Sequence, residues 1–410
     1  MEGLKDLKIL HPKKHWLAKL TKSDEDEALC YLLANEEFDA EAIDICFGAA
    51  LSNMAPKCLD IIAKFAKKTN VKLLPSTPYH CLITSGQRYP ENNLVECTRA
   101  LIDNGFNVHE PGGLYPLFTL VQHARETQIR EESMDAEYKS LSLLLAAGAD
   151  PNHRYDSDDE GNLRAESASA ALEYGFGMFT IHSNFYDYIL YCKYFAKYVE
   201  LFIRYGCDVS EKSNNGRSLL ELHFGTYGAA FEYLYKHYEK QSVSTATPRL
   251  YKIVGCLIYG GADLLYKNEK NVFPLTKFTT DFTDGIRLYF HLNSDSLSGF
   301  EHKEILSKLN DIGTALLDSA LSFLKFMNIS EAQEVLKQSL DAFDLNNHDG
   351  KLSIFRTIFK DTLLKHFSSF FSLQTLCMVK VWRCAGKRFT EIGLPTKHVD
   401  AIRDMFHLMS

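Results

Sequence analysis

The sequence predicts an all-α fold: a solenoid of repeated helix-turn-helix units, closed by a small three-helix module at its C-terminal end. Three observations predict it. Apolar helical runs end in the same glycine-centred punctuation at four places, around Gly105, Gly148, Gly206 and Gly261. Helix-start signals follow three of those endings at a nearly fixed offset. Residues 366–410 then carry a different, amphipathic pattern.

Residues 1–30 read as N-terminal capping helices, because an uncapped solenoid is poorly soluble. Residues 31–275 hold the repeats. YLLANEEFDAEA (31–42) and KFAKKTNVKLL (64–74) are weak forms of the ending. In Ser76-Thr77-Pro78-Tyr79-His80, Thr77 suits an N-cap, and Pro78 suits the first helical position, where its missing N–H costs nothing. LIDNGFNVHE (101–110), LLLAAGADPN (143–152), LFIRYGCDVS (201–210) and LIYGGADLLY (257–266) are the full endings. In each, glycine takes the left-handed position after the helix, and Asp or Asn then supplies turn chemistry. Pro116, Ser218 and Pro274 follow at offsets of 11, 12 and 13 residues, each just before or at a new apolar run.

The four glycines lie 43, 58 and 55 residues apart, so each interval carries an insertion beyond a repeat of about 33 residues. Residues 124–140 read as a lengthened helix or helical loop, 154–161 as an acidic loop, and 239–248 as a polar linker marked by Pro248. The aromatic run 182–205 reads as a helix packing its rings between layers, with an aromatic recognition surface as the alternative. Residues 276–365 show helical periodicity at Ile305, Leu306, Leu309, Ile312, Leu316 and Leu317 and read as helical, with room for further degenerate repeats.

Hydrophobic residues make up 46% of the chain, enough to bury a large core, which excludes disorder over the whole length. The net charge of −8 argues against a broad phosphate-binding surface, so no nucleic-acid partner is expected. No run of about 18 uncharged apolar residues occurs, and no membrane partner is expected. The ten cysteines are scattered without a CxxC pair and read as small buried hydrophobes. MEGLKDLKILHPKKHW is charged throughout, unlike a signal peptide. A cytoplasmic address, or additionally a nuclear one, is expected.

Catalytic and metal motifs fail on spacing. GxxxxGK[ST], GxGxxG and HExxH are absent. The run Asp344–Gly350 resembles a calcium loop until Gly350 is set at its sixth position; Leu345 then falls first and Arg356 twelfth, where carboxylates belong. No catalytic residue, cofactor site or metal site is predicted.

The Thr-Pro start at 77–78 and the Gly-Ala-Asp endings resemble the ankyrin repeat, which implies a stack of helix pairs that binds proteins. His80, His123 and His223 stand near helix starts, where that repeat uses a histidine for local hydrogen bonding. Further on, SLQTLCMVKVWRCAG (372–386) is an amphipathic helix: Leu373, Cys377, Val381 and Cys384 share a stripe, and Gly386 ends it. Ser372, Leu373, Leu376, Cys377 and Val381 resemble the BC box of a SOCS box. Phe389-Thr390-Glu391-Ile392-Gly393-Leu394-Pro395 resembles its cullin box, with Gly393 where the family's first proline stands.

The chain is thus similar to the ankyrin-repeat and SOCS-box family. That resemblance implies a substrate-recognition subunit of a cullin–RING ubiquitin ligase. Leu373, Leu376, Cys377 and Val381 would enter an apolar groove on Elongin C, in complex with Elongin B. Ile392, Leu394 and Pro395 would meet a cullin carrying its RING subunit. The repeats would hold a protein target whose identity the sequence does not specify, around the insertions at 124–140 and 154–161. Asp156, Asp158, Asp159 and Glu160 would there favour a basic partner, unless they form only a solvated loop. The alternative is a non-catalytic scaffold whose C-terminal helices merely cap the array.

Overall fold

The computed structural model describes residues 19–73, 77–85, 91–109, 115–126, 130–153, 171–177, 185–212, 216–236, 240–280, 299–321, 324, 327, 329–346 and 361. Among them every regular element is helical. The chain divides into two compact units, Met1–Ala165 and Glu166–Ser410.

The first unit holds α1 (Asp26–Asn35), α2 (Ala40–Ser52), α3 (Pro56–Thr69), α4 (Pro78–Ser85), α5 (Glu91–Asp103), α6 (Pro116–Glu126) and α7 (Glu131–Ala146). Its helices form two layers. In one, α2 packs on α4 and α4 on α6; in the other, α1 packs on α3, α3 on α5 and α5 on α7. The pairs α2–α3, α4–α5 and α6–α7 bridge the layers, so each pair is one repeat of an ankyrin-type stack. Between the layers lie Phe47, Leu59, Ile62, Leu82, Leu101, Leu120 and Leu144, all almost wholly buried.

The second unit holds α8 (Ala171–Gly177), α9 (Phe185–Arg204), α10 (Leu219–Lys236), α11 (Lys240–Gly260), α12 (Gly299–Leu321) and α13 (Ile329–Asn346), with residues 274–280 also helical. Here α8 packs on α10, α9 packs on α11, and α12 lies against both α10 and α11. The aromatic run folds as the packing helix. Tyr188, Tyr191, Tyr194, Phe195, Tyr198 and Phe202 are buried, and Tyr191 donates its hydroxyl to the Gly175 carbonyl at 2.8 Å. Gly175 is required there, because a Cβ would stand 2.3 Å from the Phe195 ring.

The four glycine endings share one geometry. Gly105, Gly148, Gly206 and Gly261 have φ of 82°, 97°, 91° and 103°. In each, the glycine N–H and the following N–H close onto the last helical turn, as in Phe106 N–H to Leu101 O and Ala262 N–H to Leu257 O. The Asp or Asn two residues later then bends the chain. Asn107, Asp150, Asp208 and Asp263 each accept, at 2.9 Å, the N–H of the residue two positions on. Pro116 and Pro274 begin their helices as expected, and Ser218 caps α10 by accepting the Glu221 N–H at 3.1 Å.

Several sequence expectations differ from what is found. Residues 240–248 form the first part of α11 with Pro248 inside it, not a linker. The charged stretch 124–140, by contrast, is helical as expected where it is described, ending α6 and forming the first part of α7. His123 stands well along α6 and not at its start. Cys30 is exposed and Cys81 half-buried, while Cys46, Cys58, Cys97, Cys192, Cys207 and Cys256 are core. Burial pushes the Cys46, Cys192 and Cys256 thiols up to about 12, so they stay protonated and inert.

Candidate functional site

The residues assigned to Elongin C, namely Leu373, Leu376, Cys377 and Val381, and those assigned to a cullin, Ile392, Leu394 and Pro395, lie outside the described residues. The acidic loop with Asp156, Asp158, Asp159 and Glu160 lies outside them too. What is described are the turns that leave each helix pair, and in each unit these gather polar side chains.

In the first unit the gathering point is Tyr115, the residue before α6. Its hydroxyl oxygen accepts the Asp150 N–H and lies 3.1 Å from His109 Nδ1. The His153 ring stacks on it at 4.3 Å between centroids. One phenol thereby ties two successive turns together. Burial pushes its pKa up to about 12, so the hydroxyl keeps its proton. His109 and His153 stay exposed on either side. Nothing here resembles an activated nucleophile; the cluster is a clasp.

In the second unit the turn after Asp263 runs on into a tight hairpin. Asn268 N–H donates to Val272 O at 3.1 Å and Asn271 N–H to Asn268 O at 2.8 Å, with Asn271 left-handed at φ 59°. Asn tolerates that conformation better than other side chains. The Asn268 Oδ1 accepts the N–H groups of Lys270 and Val272, at 3.0 and 3.1 Å, which fixes the loop from inside. Gln338 of α13 braces it from below, accepting from Phe273 N–H and donating to Asn271 O. The Tyr266 hydroxyl donates to the Gly216 carbonyl, and the Lys212 ammonium sits 4.3 Å above the Tyr266 ring.

Under the hairpin lies an open pocket of about 380 Å³. Arg217 stands just before the Ser218 cap of α10, Glu221 in the first turn of that helix, Glu269 and Lys270 on the hairpin tip, and Lys277 on the helical residues 274–280. Glu221 is buried and its Oε1 accepts from Asn268 Nδ2 at 3.1 Å. Arg217, Glu269 and Lys270 are exposed. The pocket offers charge and hydrogen bonds on a rigid support and holds neither a Ser, Cys or His nucleophile nor a set of metal ligands. Among the described residues no group of three or more His, Cys, Asp and Glu could hold a metal ion.

The sequence reading missed this pocket. Its members come from residues 217–221, 268–272 and 277–280, and their only local signal is the turn-forming Asn268-Glu269-Lys270-Asn271.

No family model matches the chain, and no curated protein matches it. Among solved structures, the ankyrin repeat domain of Bcl-3, described as a unique member of the IkappaB protein family, is similar over 56% of this chain and 91% of that one. The identity is 16% and the TM-score 0.30. That likeness is slight. The repeat architecture stands instead on the two helix layers and the four matching turns.

Proposed function

We infer that the chain is a substrate-recognition subunit of an Elongin–cullin–RING ubiquitin ligase of the SOCS-box type. The carrying observation is a sequence pattern: Ser372, Leu373, Cys377 and Val381 at BC-box spacing, with Ile392, Leu394 and Pro395 behind them, after a stack of ankyrin-type helix pairs. The stack is an interaction scaffold, and its described turns carry binding groups without a catalytic constellation. The subunit does no bond chemistry itself. It acts through effective concentration: one end holds the target while the other docks on Elongin C, in complex with Elongin B, and on a cullin with its RING subunit. The amphipathic BC-box helix is the helix-in-groove mode, in which Leu373 fills an apolar site and Cys377 allows close approach.

Reconstitution with purified Elongin B–C on a sizing column tests this reading. The full chain should co-elute with Elongin B–C, and the double variant Leu373→Ala, Cys377→Ala should elute alone with unchanged helical content. Co-elution of the double variant at wild-type stoichiometry would overturn the assignment.

A further inference from the structure

We draw no further inference here: the strongest candidate, the surface of α1 and α2 in the first unit, where Tyr31 and Ile45 are exposed at 69% and 41%, carries none, because nothing in the structure shows what covers it.

Discussion

His223 sits on α10 among Phe176, Phe224 and Tyr227, with ring centroids 5.7, 6.0 and 5.4 Å away. Its Nε2 lies 3.2 Å from the Leu250 carbonyl, which fixes Nε2 as the protonated nitrogen. Nδ1 is buried without a partner, so a second proton there would be a charge in an apolar cage. Burial accordingly holds the imidazole down to about 3. An unfolded histidine titrates near 6.5, so between those values the unfolded chain binds a proton that the native chain refuses. Stability from this residue is therefore complete above pH 6.5 and is lost as the pH falls toward 3. At about 1.4 kcal/mol per pH unit, the loss between pH 7.5 and 5 is about 2 kcal/mol. Urea unfolding of the wild type and His223→Gln at both pH values checks this. The glutamine can still donate to Leu250 O but cannot titrate, so its pH dependence should be flatter by about that amount. Parallel dependences would remove His223 as the cause.

At the scale of the helix, α11 shows packing overriding local preference. Pro248 lacks the N–H that the carbonyl four residues earlier needs, and its ring crowds that turn, at a cost near 3 kcal/mol in a free helix interior. The helix continues because Leu250, Ile253, Val254, Leu257 and Ile258 are fully buried and Arg249 Nη1 donates to the Ile189 carbonyl of α9 at 2.7 Å. Pro248 itself is exposed. Pro248→Ala should therefore stabilise the protein by about 1 kcal/mol or more, about 2–4 °C in its thermal midpoint. A lowered midpoint would mean that the packing of α11 on α9 depends on the bend. The same contrast explains what could be read beforehand. The endings at Gly105, Gly148, Gly206 and Gly261 were legible, because glycine acts through its own backbone and the Asp or Asn after it bonds its side chain to a backbone N–H two residues on. Asn70, which ends α3 in the same left-handed conformation at φ 56°, was legible only as the weak ending at 64–74, and Met54, which ends α2 at φ 47°, was not. No glycine marks them, and Met54 holds its strained backbone because its side chain is buried and its carbonyl accepts from Asn93 at 2.9 Å. Residues 240–248 were misread for the complementary reason: the apolar partners that keep Pro248 helical lie on α9, some 60 residues away. The pocket was illegible because Glu221 and Asn268 meet only through the fold.

For the whole molecule, the proposed assembly places its two ends under different constraints: the repeats must hold a target while residues 366–410 hold a ligase. Within the second, Gly393 is where the resemblance to the cullin box breaks. Proline at that position would preset φ near −65°, a restriction that glycine does not impose. The departure bears on the cullin step alone, because the BC-box residues Leu373 and Cys377 stand some 16 to 20 residues upstream. Gly393→Pro should thus leave Elongin B–C capture unchanged and tighten binding of the Elongin-loaded protein to its cullin. A Gly or Xaa to Pro change at a compatible site gains about 0.4–1 kcal/mol, which corresponds to roughly twofold to fivefold in affinity. Titrating cullin–RING onto the purified Elongin complex of each variant measures it directly. Weaker cullin binding with intact Elongin capture would show that 389–395 adopts a conformation proline cannot, and that this chain meets its cullin differently from the family it resembles.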